Sequence, residues 1–305
     1  MNISRRQFVQ KGSLALAGSV FLSKQLLAAK SKNEITGLQL YSVRDDMHKD
    51  PLGTLKQLAN IGYKYVEHAS YVDRKFYGYE AKVFKKILDD LGLFMPSGHT
   101  ALHKSHWDES KKDFTDVWKY TIEDAATMGQ QFVISPSMEA NAYKTLDDFK
   151  AFMDIFNRSG ELCKRSGMRF GYHNHDFEFT AKLEGQTLFD LILTNTNPSL
   201  VAQQLDIGNM YHVGGRALDI LKKYPNRFEL MHVKDEIKSE KEGEMGGLYA
   251  STILSKGVIP VKEIIDLGRK MGGTKYFIIE QESYQGISPL DSVKEDLLVM
   301  KKWGY

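Results

Sequence analysis

The sequence predicts an α/β protein closed into a (β/α)₈ TIM barrel, on three observations. From Ile35 onward, apolar runs of strand length alternate with amphipathic helical patterns, the alternation that builds a parallel sheet covered by helices. Eight such units fit in the 305 residues, and a closed barrel needs roughly 250. No glycine-rich dinucleotide fingerprint follows the first strand, where Gln39-Leu40-Tyr41-Ser42-Val43 stands instead. That weighs against the rival doubly wound open sheet.

The predicted strands lie within ITGLQLYS (35–42), IGYKYVEH (61–68), LGLFMPSGH (91–99), MGQQFVIS (128–135), SGMRFGYHNH (166–175), LVAQQLDIG (200–208), RFELMHVKD (227–235) and MGGTKYFIIE (271–280). Several open on a glycine suited to the left-handed position that ends a helix. The apolar runs alternate little, as expected of parallel strands buried on both faces. Between them lie helical patterns at 80–91, 113–128 and 146–166, the last carrying Phe149, Phe152, Met153, Phe156 and Gly160 at helical spacing. No linker or second domain shows, so residues 31–305 read as one barrel domain. The longest irregular stretch, 235–260, follows the seventh strand and holds Gly243, Gly246, Gly247 and Gly257. It reads as a lid or wall.

Composition narrows the function classes. With 42% hydrophobic and 26% charged residues, the chain has ample material for a globular core. A net charge of +2 without a Lys/Arg stripe argues against a nucleic-acid partner. The single cysteine, Cys163, rules out an intramolecular disulfide and a cysteine-based zinc site. Residues 1–30 join a charged start, the apolar run SLALAGSVFL and small residues at Ala28 and Ala29, which reads as a signal peptide. Ser4-Arg5-Arg6-Gln7-Phe8 resembles a twin-arginine signal. The expectation is export by the twin-arginine machinery, cleavage near Lys30, and a periplasmic or otherwise extracytoplasmic site of action.

Barrel active sites form at the C-terminal ends of the strands. The residues there are Glu67 and His68, His99, His173 and His175, Asp206, His232 and Lys234, and Glu280 and Glu282. Five of the nine histidines fall in this set, which scattered structural histidines have no reason to do. Period-two geometry turns His173, Asp206, His232 and Glu280 toward the barrel axis. Two imidazoles and two carboxylates suit one divalent ion of the Mn, Co, Zn or Fe type. A buried His/acid hydrogen-bond network without metal is the competing reading.

The phrases GLQLYSVRD (37–45), GYKYVEH (62–68), YHNHDFEF (172–179), LDIGNMYHVGG (205–215), MHVKD (231–235) and FIIEQE (277–282) resemble the sugar phosphate isomerase/epimerase superfamily. These are the xylose isomerase-like barrels, which include ketose 3-epimerases, inosose dehydratases and hydroxypyruvate isomerases. The resemblance implies one divalent metal held by Glu, Asp, His and Glu on strands 5 to 8, the last three falling on Asp206, His232 and Glu280. At strand 5 the chain departs, with His173-Asn174-His175 where many relatives have Glu followed by Asn-His. His173, His175 and Glu178 thus remain alternatives for the fourth ligand, and symmetric two-base epimerisation is put in doubt.

The resemblance implies abstraction of a proton from carbon beside a carbonyl, with the metal stabilising the enediolate. Glu280 or His175 is expected as base, with Lys234 or His99 donating to sugar oxygens and Glu67, His68, His99 and Glu178 at the substrate. The enediolate then epimerises, isomerises or eliminates a β-substituent. Export and the lack of a phosphate cradle favour an unphosphorylated keto-sugar or 3-keto-glycoside. A periplasmic sugar-binding or accessory subunit without turnover is the alternative. A homo-oligomer is compatible but unspecified: the aromatic stretch Tyr71, Phe76, Tyr77 and Tyr79 reads equally as a sugar-stacking wall, a dimer contact or packing.

Overall fold

The structure, a computed structural model, describes residues 34–241 and 243–305. Eight parallel strands close a barrel in sequence order: β1 (Ile35–Gln39), β2 (Tyr65–His68), β3 (Phe94–His99), β4 (Phe132–Ser135), β5 (Arg169–His173), β6 (Val201–Asp206), β7 (Leu230–Val233) and β8 (Tyr276–Ile279), with β8 pairing back onto β1. Each lies inside the segment the sequence marked. The signal peptide expected at 1–30 lies outside the described residues. Among the described residues, no helix is long and apolar enough to cross a membrane.

Eight helices sheathe the barrel, one after each strand: α1 (Pro51–Ile61), α2 (Ala81–Asp90), α3 (Asp116–Met128), α4 (Leu146–Arg165), α5 (Leu188–Asn195), α6 (Ala217–Lys223), α7 (Val261–Leu267) and α8 (Pro289–Trp303). Their ends follow local chemistry. The side chains of Asp50, Thr145, Thr187 and Ser288 accept from backbone N–H groups in the first turns of α1, α4, α5 and α8, satisfying donors that a helix start leaves free. Apolar residues alternate out of the strands into the helix layer: Leu38, Val66, Leu205, Met231, Val233, Phe277 and Ile279 on one side, Val133, Phe170 and Tyr172 on the other.

The inward-facing set is different. Near the barrel's bottom, Phe132, Ile134, Ala202 and Leu230 make a small apolar plug. Two residues further along each strand the interior turns polar, because side chains repeat with period two: Gln204 follows Ala202, and His232 follows Leu230. The registers Gln39↔Glu67, His173↔Gln204 and Asp206↔His232 then set these polar groups side by side. Between β2 and β3 the register slips, from Tyr65↔Phe94 to Glu67↔Ser97. The extra residue falls around Pro96, which has no N–H to lose at a bulge.

The stretch expected to be an irregular lid is partly regular. Asp235–Lys238 and Tyr249–Thr252 pair as an antiparallel hairpin, Asp235 opposite Thr252. Its regularity escaped notice because two short strands around a glycine-rich turn carry too few residues for a period to show. The aromatic stretch after β2 folds as a small three-stranded sheet, Tyr71–Val72, Lys75–Phe76 and Tyr79–Glu80. Phe76 is buried, and Tyr77 and Tyr79 pack on the core.

Gly98 marks the tightest approach near the mouth: a Cβ there would stand 1.9 Å from the His68 ring. Gly98→Ala is expected to destabilise the fold by about 1–3 kcal/mol in urea unfolding, and His68→Ala in the same chain should recover part of that loss. An unchanged midpoint for the single variant would contradict this packing.

Candidate active site

The site is built upward from Glu67, fully buried on β2. Its Oε1 accepts from Gln39 Nε2 at 2.8 Å and lies 2.7 Å from His232 Nε2, and its Oε2 accepts from Gln204 Nε2 at 2.9 Å. Burial opposes ionisation, but His99 and His232 outweigh it and hold this carboxyl well below the usual range.

Glu67 also sets the proton positions around it. Because Gln204 donates its amide N–H to Glu67, its Oε1 must accept. That oxygen lies 2.7 Å from His99 Nε2 and 3.1 Å from His173 Nδ1. His173 therefore carries its proton on Nδ1 and turns the lone pair of Nε2 inward, where it accepts from Asn209 Nδ2 at 3.4 Å and faces Asp206 Oδ2 at 3.9 Å. Burial, with the imidazoles of His232 and His99 nearby, keeps His173 neutral by lowering it well below the ordinary value.

His232 is clamped at both nitrogens. Nε2 donates to Glu67, and Nδ1 stands 3.0 Å from Glu280 Oε2 and 3.6 Å from Asp206 Oδ2. A bare lone pair on Nδ1 would face two carboxylates, so a proton or a metal cation belongs there. Burial opposes the charged ring, but Glu280 and Glu67 raise it well above the ordinary value.

Asp206 is held by its surroundings. Asn174 joins its backbone to β5, accepting from Asp206 N at 3.0 Å and donating to Asp206 O at 3.1 Å. Oδ1 accepts from Gly208 N at 2.8 Å and Asn209 N at 2.6 Å, while the buried Oδ2 has no hydrogen-bond partner. Lys234 lies just past β7, fully buried, with Nζ 3.5 Å from Asp206 Oδ2, 3.1 Å from Glu280 Oε2 and 2.6 Å from Glu282 Oε1. Burial opposes its charge, but Asp206, Glu280 and Glu282 hold it well above the ordinary value. In turn, burial pushes Glu280 up but Lys234 and His232 prevail, bringing it down to about 2. The Lys234 stem crosses Gly208, where a Cβ would lie 2.4 Å from it.

These residues fit a divalent ion. Asp206, His232 and Glu280 bring one donor atom each to within 4.8 Å of one another. The free Asp206 Oδ2 and the inward lone pair of His173 complete a nitrogen/oxygen set. His232 bonded through its far nitrogen to Glu67 is the carboxylate–histidine arrangement that orients a metal ligand. Carboxylates outnumber cations at this point, a charge that a divalent cation offsets.

Above the floor opens a cavity of about 900 Å³. His99, His173, His175, Asn209, Glu280 and Glu282 line its inner end, while Tyr41, Tyr71, Arg74, Tyr120 and Met245 line its walls. His175 is lowered by burial below the ordinary imidazole value, and its Nδ1 has no hydrogen-bond partner. Of the residues expected here, the structure gathers His173, Asp206, His232 and Glu280 as a cluster and turns His99, His175 and Glu280 to the cavity. Glu67 and Lys234 sit beneath its floor.

Three residues expected at the substrate do not line the cavity: Glu67, under its floor, and His68 and Glu178, which lie elsewhere. His68 is buried, lowered to about 3 by burial, and packed edge-on to Phe76 at 4.9 Å. Glu178 is buried with Oε1 on the Tyr172 hydroxyl and Oε2 accepting from His175 N at 2.8 Å. Burial raises it to about 8. Sequence reasoning passed over Gln39, Gln204 and Asn209. Period two from Asp206 pointed to Gln204, but a glutamine carries no signal of its own.

The sequence matches the family described as "Xylose isomerase-like TIM barrel" over residues 55–303. It is 25% identical to an inosose dehydratase of Clostridium beijerinckii, over 82% of this chain and 89% of that one. A crystal structure of a sugar phosphate isomerase/epimerase from Parabacteroides distasonis superposes with a TM-score of 0.74 at 26% identity, covering 90% of this chain and 95% of that chain. The structure of the IOLI protein with a bound zinc atom shares the fold, with a TM-score of 0.67 at 10% identity over 88% of this chain and 98% of that one.

Removing the buried ammonium leaves three carboxylates facing one another. Lys234→Met is expected to cost about 3–5 kcal/mol in the metal-free protein. The pH dependence follows from Glu280: its folded value, about 2, lies below the ordinary 4.5. Its contribution is therefore complete above pH 4.5 and lost as pH falls toward 2. Urea unfolding across that range should show this limb in the wild type and a weaker one in Lys234→Met. Identical pH profiles would break the assignment.

Proposed function

The chain belongs to the xylose isomerase-like TIM barrel family, and on that premise we propose that it abstracts the proton beside the carbonyl of an unphosphorylated keto-sugar, a 3-keto-glycoside in particular, and eliminates the β-oxygen. The observation that carries this reading is one cavity end where a neutral imidazole, His175, meets Glu280 and Glu282 beside the Asp206–His232 cluster. The likeness to an inosose dehydratase, at 25% identity, supports loss of water or alcohol over simple epimerisation. So does His173 at the β5 position, which supplies no carboxylate for a second face.

In a 3-keto-glycoside the C2 proton is acidified by the C3 carbonyl, and the glycosidic oxygen on C1 is the β-substituent. His175 takes the C2 proton, and the C–H electron pair forms the enolate. The carbonyl re-forms as the C1–O bond breaks, and the departing oxygen takes a proton from Glu282. Burial raises the Glu282 carboxyl against the pull of Lys234, the direction a proton donor needs. His99, whose Nε2 proton is spent on Gln204, accepts from a sugar hydroxyl through Nδ1, and Lys234 positions Glu280 and Glu282 from below. A divalent ion held by Asp206, His232 and Glu280, with His173, would act as Lewis acid toward the carbonyl.

The cavity, about 900 Å³, lies near the upper end of small-molecule pockets, roughly 300–1,000 Å³, and exceeds the need of one sugar ring. Its outer walls, with Tyr71 and Tyr120, offer stacking faces for an aglycone or second sugar. An extracytoplasmic setting, read from residues 1–30, belongs to this proposal.

The test is NMR in D₂O with metal-loaded protein and a panel of 3-keto-glycosides and free keto-sugars. Loss of the C2–H signal with release of the aglycone is expected. His175→Asn should slow it about 10²–10⁴-fold, and because His175 titrates below its ordinary value, the wild-type rate should decline only below about pH 6.5. Exchange without aglycone release would replace elimination by isomerisation or epimerisation. No exchange with any substrate, metal bound, would sink the enolisation reading.

A further inference from the structure

A second group of ligating side chains lies under the hairpin that follows β7, outside the site just described. His212 ends the short helix Asn209–His212, Glu236 stands on the first hairpin strand, and Glu244 opens the turn Glu244–Gly246 between the two strands. One donor atom from each lies within 4.8 Å of the others. His212 Nε2 is 3.3 Å from Glu236 Oε2, and their side chains are only 2% and 0% exposed.

These atoms are buried without being satisfied. Neither nitrogen of His212, neither oxygen of Glu236, nor Oε2 of Glu244 makes a hydrogen bond. Each unmet buried polar group costs about 1–3 kcal/mol, more when charged, so three such side chains with a donor atom each within 4.8 Å of the others call for a ligand between them. A shared proton would serve one His–Glu contact and leave the remaining oxygens unmet. Lys234, the neighbouring cation, is committed to Asp206, Glu280, Glu282 and Asn209.

The surroundings hold the donors in place and leave room among them. Glu244 is fixed by its other oxygen, Oε1, which accepts from Ser251 N at 2.8 Å, Ser251 Oγ at 2.5 Å and Ser283 Oγ at 2.6 Å. Two glycines border the cluster: a Cβ on Gly208 would stand 2.6 Å from Glu236 Oε1, and one on Gly247 would stand 3.1 Å from His212 Nδ1. Donors about 2.1 Å from one ion sit about 3.4 Å apart in tetrahedral geometry. The His212–Glu236 pair already has that spacing, and a Glu244 oxygen lies within 4.8 Å of both.

We propose that His212, Glu236 and Glu244 form a second cation site, for a divalent transition ion of the zinc type, which a nitrogen and carboxylate oxygens suit. Its role is structural: it ties the tip of the β7 hairpin to the loop after β6. Met245, next to Glu244, lines the cavity, and Ser251, which binds Glu244, also accepts from the backbone of Glu282 and Ser283. The ion therefore fixes one wall of the cavity and the segment carrying Glu282. This holds whatever reaction the cavity performs.

The experiment is metal counting on the full chain, stripped with chelator, reloaded with Zn²⁺ and passed through gel filtration before elemental analysis. Two ions per wild-type chain are expected, one lost in Asp206→Asn and a different one lost in His212→Gln or Glu244→Gln. Zn²⁺ should also slow proteolysis within 235–260, an effect that Asp206→Asn keeps and Glu244→Gln loses. Anomalous scattering from a Zn²⁺-soaked wild-type crystal, which needs no variant to fold, should place a peak among His212, Glu236 and Glu244. A crystal without that peak, or zinc content indifferent to both His212→Gln and Glu244→Gln, overturns the proposal.

Discussion

At the mouth of the barrel, Glu67, Asp206 and Glu280 are buried around the His232 ring, with Lys234 inserted between Asp206 and Glu280. Water cannot solvate these carboxylates, so each must find its counter-charge or hydrogen bonds within the protein. Much of the local structure answers that demand. The amides of Gln39 and Gln204 are spent on Glu67, and the backbone N–H groups of Gly208 and Asn209 on one oxygen of Asp206. Gly208 itself is needed so that the lysine stem can cross the backbone.

The same demand fixes which groups are charged. One ionised carboxylate, Glu67, orients Gln204, and Gln204 in turn dictates the tautomers of His99 and His173. Three imidazoles of the site thus divide between two states for traceable reasons. Without a metal, His232 is held charged by flanking carboxylates, while His173 is held neutral by burial and His175 is neutral at the cavity edge. A barrel that raised all three together would offer neither a base nor an inward lone pair. The division of roles arises from the order in which acceptors are used up, starting at a residue that never touches the cavity.

How much of this the sequence disclosed depended on periodicity. The eight strands were legible because each is a short apolar run stopped by a glycine or a polar residue, and Asp206, His232 and Glu280 because period two carries the inward face past the end of the strand. The same rule applied to β2 separates Glu67, inward, from His68, which packs on Phe76. The sequence did not show that the bulge around Pro96 sets Glu67 against Ser97, since register is a property of two strands. Nor did it show where Glu178 goes: it lies on the short helix Phe177–Thr180 beyond β5, and a turn of helix returns it to the backbone of His175. Gln39 and Gln204 were missed for a different reason. An amide becomes informative only once its partners are known.

The cavity has two chemical characters, and together they constrain the substrate more than either alone. Its inner end is lined by ionisable groups in low-dielectric surroundings, where a charge developing on a sugar oxygen interacts strongly with fixed neighbours. Its outer end is lined by Tyr71, Val72, Val117 and Tyr120, with Arg74 stacked on Tyr120 at 4.2 Å. A free monosaccharide would engage the first and leave the second to water. A molecule with a reacting ring at one end and an apolar-faced group at the other engages both, and binding energy from the outer group can then hold the reacting carbon against His175. Elimination suits that division, because the bond that breaks is the one joining the two halves. In the proposed elimination the ring would stay with the charged end, and the departing group would lie along the open wall through which it leaves.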